Sequence, residues 1–183
     1  MHTRAPRRRL LCARSLWVFS PHRYLEWLEA DLKAAAANKA VRPWIIAGGH
    51  RPFGDIKGNG VEALFAEYGV DMYFAGHTHS YVRTSPVVNG TVETHHAPNH
   101  YHASSGTTLV VVGGAGCDEM KDKLQAEASE QSIKSDAAPY GSLQYATSRL
   151  ASGVLTVPNA SALHWQLIAS HDGEILDDLW ITK

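Results

Sequence analysis

The chain has 183 residues, of which 44% are hydrophobic and 19% are charged, so it is long enough to bury a core and has a globular composition. Its formal net charge of −1 lacks the surplus of Lys and Arg that binding to nucleic acid requires. No stretch approaches the roughly 20 apolar residues of a membrane span, so we expect neither a nucleic-acid partner nor a span.

The first nineteen residues differ from the rest because arginines surround the short apolar run "LLCARSLWVF". Arg14 interrupts that run, which makes it a poor secretory signal. We therefore predict that residues 1–19 are unstructured or foreign to the domain that follows. Cys12 and Cys117 leave two alternatives open, a disulfide in an oxidising compartment or two free thiols.

The next part of the chain alternates helix and strand. "SPHRYLEWLEADLKAAAANK" predicts an amphipathic helix with Ser20 as its cap and Pro21 at its first position. "WIIAGGH" and "VDMYFAGH" predict two buried strands that each end in glycine and histidine, with the short helix "VEALFAEYG" between them. Such a unit aligns its strand ends along one edge of a sheet, where ligands gather.

The second half is predicted to be mostly β structure. The Asn89-Gly90 pair in "SPVVNGTVET" predicts a tight hairpin, and "TTLVVVGGAG" predicts a buried strand before a glycine-rich loop. The polar stretch up to about Leu150 is interpreted as an excursion over the surface. "GVLTV", "ALHWQLIAS" and "EILDDLWITK", separated by turn sequences, predict a C-terminal antiparallel β-meander.

Three histidines follow predicted strands and are candidate metal ligands: His50, His77 and His79. Ligands at rigid strand ends can hold imidazoles in the geometry that a metal needs, and residues two apart on an extended backbone point to the same side. A lone His-X-His is a weak signal, which His50 strengthens. The tract "HHAPNHYH" holds four more histidines, but we interpret it as a loop with no strand to support a metal site.

Other polar residues point to function less directly. Tyr81 and Arg83 follow the histidines and could contact a substrate phosphate or be ordinary surface residues, and the sequence favours neither. The glycines of "GGAG" are interpreted as positions of close backbone packing. The sequons at Asn89 and Asn159 fall in predicted turns, so we predict glycosylation there, which makes secretion plausible.

Four segments resemble, in order and spacing, the C-terminal half of the purple acid phosphatases, which are calcineurin-like metallophosphoesterases. They read "PWIIAGGHRPF", "FAEYGVDMYFAGHTHSYVRTSPV", "VVVGGAGCDEM" and "LTVPNASALHWQLIASHDGEILDDLWITK". The resemblance implies an α/β fold, a partial metallophosphoesterase β-sandwich flanked by helices that ends in the meander. It divides the chain into residues 20–106, the C-terminal part of the metallophosphoesterase domain, and residues 107–183, the purple acid phosphatase C-terminal region.

The resemblance also implies a chemistry. Family members hydrolyse phosphomonoesters with a ferric ion beside a divalent Zn, Mn or Fe ion, and a metal-held hydroxide attacks the phosphorus. By resemblance, His50 and His77 would bind the divalent ion and His79 the ferric ion. The resemblance implies a secreted, endomembrane or vacuolar protein, although this chain shows no convincing signal peptide.

Part of the family pattern is absent from these 183 residues. The aspartate, Gly-Asp-tyrosine and Asn-His motifs that supply the other ligands have no counterpart in the right place, and "GDIKGNG" after His50 only imitates them. We therefore expect a truncated chain that holds at most one weakly bound ion and is inactive by itself, with no catalytic residue assigned. Two alternatives stay open, a non-catalytic module that makes protein or weak metal contacts and a phosphodiesterase of the same superfamily. The natural substrate and the oligomeric state are not predicted.

Overall fold

Two β-sheets pack face to face, and helices cover the outer face of the larger sheet. The computed structural model describes residues 21–56, 58–116 and 139–183. Three α-helices, α1 to α3, occupy Pro21–Ala37, Phe53–Ile56 and Val61–Tyr68, and a 3₁₀ turn occupies Pro139–Gly141. This α/β sandwich confirms the predicted fold class.

The larger sheet has five strands in the order β1-β2-β7-β3-β8. The first three run parallel to one another, while β3 is antiparallel to both β7 and β8. Its strands are β1 (Ile46–Gly48), β2 (Met72–Ala75), β7 (Thr108–Val112), β3 (Tyr81–Thr84) and β8 (Leu143–Thr147). The parallel part places the ends of β1 and β2 at the same edge.

The smaller sheet has four strands in the order β6-β11-β10-β9. Its strands are β6 (His100–His102), β9 (Ala151–Asn159), β10 (Ala162–Ala169) and β11 (Ile175–Thr182). The last three form the predicted antiparallel meander, and β6 joins β11 in parallel. A two-stranded hairpin, β4 (Val87–Val88) and β5 (Thr91–Val92), turns at Asn89 and Gly90, whose positive φ angles fit the predicted Asn-Gly turn.

α1 and α3 form where the sequence predicts helices, whereas the short α2 was not predicted. α1 begins at Pro21 and buries Leu28 and Leu32 against the larger sheet. α3 buries Val61 and Phe65 and ends at Gly69, whose φ of 64° is left-handed. Glycine reaches that conformation without steric cost, and its N–H caps the carbonyl of Phe65.

Alternating residues of the larger sheet face two separate cores. Tyr73 and Leu109 point toward the helices, whereas Met72 and Val110 point toward the smaller sheet. In the core between the sheets, Trp165 packs against Phe74 and crosses Gly153, where a Cβ atom would meet the indole at 1.8 Å. The two sheets therefore bury their facing sides as one sandwich.

Three sequence-based expectations were wrong. The polar stretch before Leu150 contains β8, which pairs with β3. The histidine tract contains β6, which pairs with Trp180 and its neighbours in β11, about 80 residues further along the chain by the register of His100 with Trp180. β1, expected to be buried, is the edge strand of the larger sheet within the described residues, and Ile46 is 41% exposed. Short strands defined by partners distant in sequence leave little periodic signal of their own.

Some predictions concern residues outside the described ranges. They include the unstructured segment 1–19 and the disulfide between Cys12 and Cys117, together with most of the predicted surface excursion. Among the described residues, no helix is both long enough and apolar enough to cross a membrane.

Candidate metal site at the ends of β1 and β2

His50 and His77 lie side by side because the backbone joins the ends of β1 and β2. The carbonyl of His50 accepts hydrogen bonds from the N–H groups of Gly76 at 3.2 Å and His77 at 2.9 Å. The N–H of Gly49 bonds to the carbonyl of Phe74 at 2.9 Å, which continues the ladder up to the first histidine. The register of the two parallel strands therefore fixes the backbone positions from which both imidazole side chains extend.

The two imidazoles meet through their nitrogen atoms. His77 Nδ1 lies 3.1 Å from His50 Nε2, and the ring centroids are 5.0 Å apart with the planes at 68°. Arg51 Nη1 donates to His77 Nε2 at 2.8 Å. Since a guanidinium only donates, His77 Nε2 must accept, so in the neutral ring the proton is on Nδ1 and points to His50.

Arg51 is a member of this edge that the sequence analysis missed. Besides His77, its guanidinium lies 3.4 Å from Asp55 of α2, in an exposed ion pair. The Tyr73 hydroxyl donates to the Arg51 carbonyl at 2.8 Å, and burial raises the pKa of that tyrosine, so the hydroxyl stays protonated. The only sequence signal was the position of Arg51 directly after a candidate ligand.

The loop that carries His77 and His79 rests on Gly113. A Cβ atom at Gly113 would lie 2.0 Å from the Thr78 carbonyl oxygen and 2.5 Å from that of Gly76. Its N–H bonds to the carbonyl of Ser80 at 3.0 Å. The close backbone packing predicted for the "GGAG" glycines is therefore present at Gly113, where a side chain would displace the histidine loop.

His79 is half-buried, two residues beyond His77. In the described part of the chain, these two histidines and His50 do not form a group of three ligand atoms lying within 4.8 Å of one another. The structure brings His50 and His77 together and leaves His79 outside that immediate pair.

Tyr81 and Arg83 of β3 face the interior between the two sheets. They are 2% and 3% exposed, and both bond to Asp177 of β11. Arg83 makes a two-point contact with that carboxylate, Nε to Oδ2 at 2.6 Å and Nη2 to Oδ1 at 2.8 Å. In this arrangement a phosphate in solution reaches neither side chain, so a substrate role stays a prediction that requires the pair with Asp177 to open.

The charge network around Asp177 is fully hydrogen-bonded. The Tyr81 hydroxyl donates to Asp177 at 2.6 Å and accepts from Trp165 Nε1 at 2.8 Å. Burial and then the Asp177 charge raise the pKa of Tyr81. Burial acts to lower the pKa of Arg83, but its hydrogen bonds to Asp177, together with charge interactions with Tyr101, Asp177 and Tyr81, outweigh that effect and raise it. The network therefore keeps one cation and one anion paired between the sheets.

The ends of β1 and β2, with His50, Arg51, His77 and His79, are called the histidine edge. The ligand groups at this edge fit one metal ion better than two. Neutral imidazoles bind divalent zinc, iron and manganese, and His50 and His77 could share one such ion if Arg51 swings away from His77. The carboxylate of Asp55 is linked to the histidines through Arg51, which bonds to both Asp55 and His77. A ferric ion prefers anionic oxygen ligands. Among the described residues, no carboxylate forms a three-ligand group with His50 and His77 in which the ligand atoms lie within 4.8 Å of one another.

A different group of candidate ligands lies in the histidine tract. Glu93, His95 and His96 place one ligand atom each within 4.8 Å of one another. The sequence predicts a plain loop here. The part played by Glu93 leaves no local sequence pattern, since it depends on the hairpin fold. The sequon residues Asn89 and Asn159 are both exposed, Asn89 in the hairpin turn and Asn159 at the end of β9.

Two family profiles match the chain. Residues 9–81 match the calcineurin-like phosphoesterases, and residues 106–178 match the iron/zinc purple acid phosphatase-like protein C region. The first match contains all three candidate histidines, and the second contains β7 to β10 and the first part of β11, up to Asp178.

Known proteins of similar sequence are acid phosphatases. Human (Homo sapiens) acid phosphatase type 7 is 30% identical over 88% of this chain, and an acid phosphatase from Aspergillus ficuum is 31% identical over 86%. The chain spans 39% of the human relative and 26% of the fungal one. The structure of a purple acid phosphatase from yellow lupin (Lupinus luteus) seeds superposes with a TM-score of 0.66 at 25% identity, over 86% of this chain and 28% of that one.

Proposed function

Because the chain belongs to the purple acid phosphatase family of calcineurin-like phosphoesterases, we propose that it contributes His50, His77 and His79 to a metal centre that hydrolyses phosphomonoesters. In this proposal, the 183 residues supply one part of the centre. Further ligands are required before catalysis can occur.

The observation that carries the proposal is the meeting of two imidazoles at the ends of two parallel strands. The 3.1 Å contact between His77 Nδ1 and His50 Nε2 supports the proposal, because it places two candidate ligand nitrogens side by side. A divalent ion bound there would act as a Lewis acid toward a phosphoryl oxygen. The chain's own residues would then hold that ion, while Gly113 keeps the loop of His77 in place.

Arg51 has a second part in the proposal. Its guanidinium is the cation next to the histidines, and it is exposed, with contacts to His77 and Asp55. A phosphomonoester carries two negative charges and would compete with Asp55 for that guanidinium, as arginine pairs well with phosphate. We propose Arg51 as the phosphate-orienting group, a role for which Tyr81 and Arg83 are too deeply buried.

The finer assignments are extensions of the same proposal. His50 and His77 would bind a divalent Zn, Mn or Fe ion, and His79 would belong to a ferric ion whose remaining ligands the described residues do not provide. Glycans at Asn89 and Asn159 and a secreted or vacuolar location would follow from the family and from the exposure of both asparagines.

A non-catalytic role is the second candidate, since one observation favours it. Both nitrogens of His77 are already engaged, one with Arg51 and one with His50. An edge locked in this way would make weak metal contacts without turnover.

Phosphatase assays test whether the chain is active without further ligands and which class of phosphoester it prefers. We expect the purified chain, supplied with iron and zinc at acidic pH, to hydrolyse p-nitrophenyl phosphate no faster than its His77→Ala variant. Hydrolysis well above that variant would overturn the expectation that further ligands are needed and would establish an active short enzyme. A parallel assay with bis-p-nitrophenyl phosphate distinguishes diester from monoester hydrolysis, and preference for the diester would contradict the phosphomonoesterase assignment.

A further inference from the structure

We propose that Glu93, His95 and His96 form a second divalent-metal site, built by the hairpin that follows β3 and independent of the histidine edge. The three side chains offer ligand atoms that all lie within 4.8 Å of one another. Two imidazoles and one carboxylate are a donor set that zinc accepts, with a fourth position left for water.

Glu93 is held in place before any ion arrives. Its Oε1 accepts hydrogen bonds from the Ser105 N–H at 3.0 Å, the Ser105 hydroxyl at 2.6 Å and the Gly106 N–H at 3.0 Å. Its Oε2 accepts from the Ser104 hydroxyl and from His96 Nε2, each at 2.8 Å. Metal-binding carboxylates are commonly supported by hydrogen bonds of this kind, which fix the oxygen that faces the ion.

The same hydrogen bonds favour the charged form of the Glu93 carboxylate. Burial acts to raise the pKa of Glu93, but hydrogen bonds from Ser105, His96 and Ser104 outweigh it and lower the pKa to about 2. At neutral pH the site therefore offers one negative charge to a divalent ion, which the histidine edge does not.

Two hydrogen bonds of His96 must open before its Nε2 can bind an ion. The backbone N–H of His102 donates to His96 Nδ1 at 3.3 Å, so the neutral ring carries its proton on Nε2 and points it at Glu93. Binding through Nε2 moves that proton to Nδ1. This breaks the hydrogen bond to Glu93 Oε2, so that this oxygen can face the ion, and it also opens the hydrogen bond from the His102 N–H. That bond is long, and it lies on the outer side of β6, an edge strand of the described smaller sheet, where water can replace the lost acceptor.

His95 is the ligand that distinguishes a metal site from a loop brace. Its ring centroid lies 4.0 Å from that of His96, and the side chain is exposed. Glu93 and His96 brace the loop through their mutual hydrogen bond, whereas His95 can be removed without breaking that bond. The proposal therefore depends on His95 in a way that the fold does not.

The test uses zinc and the whole 183-residue chain. The three edge histidines, His50, His77 and His79, are first replaced by alanine to remove the other candidate site. Titration against a chromophoric zinc chelator at neutral pH should then show one zinc ion per chain. Adding His95→Ala should weaken that binding by at least the roughly 10-fold that loss of even a supporting group costs at metal sites.

His100→Ala is the matched control, because His100 is another exposed histidine of the same tract and bonds only to Thr182 among the described residues. It should leave zinc affinity unchanged, with far-UV circular dichroism confirming that each variant folds. The proposal is overturned if the starting variant binds no zinc, if His95→Ala binds as tightly as its parent, or if His100→Ala weakens binding equally. Should the triple variant fail to fold, His95→Ala alone must lower the zinc stoichiometry of the otherwise unchanged chain by one.

Discussion

The interior between the two sheets and the edge at the ends of β1 and β2 contrast in how completely their polar groups are paired. Inside, Arg83 and Asp177 share two hydrogen bonds, and Tyr81 and Trp165 extend the network. At the edge, His50, His77 and Arg51 bond mainly to one another and lie exposed. The polar groups of the interior are paired and buried, whereas those of the edge are paired but exposed, with Arg51 also in an ion pair with Asp55.

This contrast indicates which part of the chain stabilises the fold and which part binds a ligand. A buried ion pair is costly to break because either partner alone would be a charge in a low-dielectric interior. Exposed imidazoles carry no such cost, so the edge can change partners. We infer that the network around Asp177 holds the two sheets together and that the histidine edge is the part free to bind.

The largest effect should come from breaking the interior pair. Asp177→Ala leaves the Arg83 guanidinium buried without its counter-ion and should lower the free energy of unfolding by about 3–5 kcal/mol. Urea denaturation followed by circular dichroism measures the change.

Asp178→Ala is the control for that variant. Asp178 is the next residue of β11, but its side chain is partly exposed and bonds to His164 and Gln166 on the outer face. It should cost under about 1 kcal/mol. Equal losses for the two variants would contradict the special role of the buried pair.

The second effect joins the two regions, because Gly113 belongs to the interior strand end but supports the histidine loop. Gly113→Ala forces a Cβ atom against the carbonyls of Gly76 and Thr78 and should cost about 1–3 kcal/mol as overpacking does. It should also weaken zinc binding at the edge. Gly48→Ala, where the nearest atom to a new Cβ is at 4.0 Å, should do neither. If Gly113→Ala leaves zinc binding intact, the loop does not depend on this contact.

Much of the scaffold could be predicted from the sequence because its signals are local. The helical period of α1, the Asn-Gly turn at Asn89 and the alternation along β10 each appear within a short window. β8 and β6 could not be predicted in this way, since their pairing with β3 and β11 is decided by residues far along the chain.

The candidate site was predicted only in part for the same reason. Strand ends followed by glycine and histidine pointed to His50 and His77, which the structure brings together. The contact of Arg51 with His77 depends on the register of two strands 26 residues apart in sequence. The burial of Arg83 depends on Asp177, 94 residues away, so no local pattern could distinguish it from a surface arginine.

A third, smaller effect concerns the influence of Arg51 on zinc binding at the histidine edge. Arg51→Ala removes the donor that engages His77 Nε2, so zinc affinity at the edge should rise, while stability should change by no more than about 0.5 kcal/mol. Chelator competition in a His95→Ala background measures this affinity without the second site. Arg42→Ala removes an exposed arginine whose side chain, among the described residues, bonds to the neighbouring Val41 carbonyl, and it should leave zinc affinity unchanged. A fall in zinc affinity with Arg51→Ala would mean that Arg51 helps to hold His77 ready instead of competing for it.

The smallest effect concerns the pH dependence of Glu93. Its folded-state pKa of about 2 lies below the ordinary value of 4.5, so its contribution to stability is present above about pH 4.5 and is lost as the pH falls toward 2. The stability difference between the wild-type chain and Glu93→Gln should therefore shrink between pH 5 and pH 3. Urea denaturation across that range measures it, with Glu26→Gln on α1 as the control. A difference that stays constant would contradict the hydrogen-bonded, ionised carboxylate.

The most direct test of the central claim is the metal content of the histidine edge. Elemental analysis of the His95→Ala protein, after reconstitution with iron and zinc and removal of loosely bound metal, counts the ions that His50, His77 and His79 retain. The account predicts at most one divalent ion per chain and no tightly held iron. Two tightly held metals, lost together in a His77→Ala variant, would contradict it and show that these 183 residues assemble the whole centre.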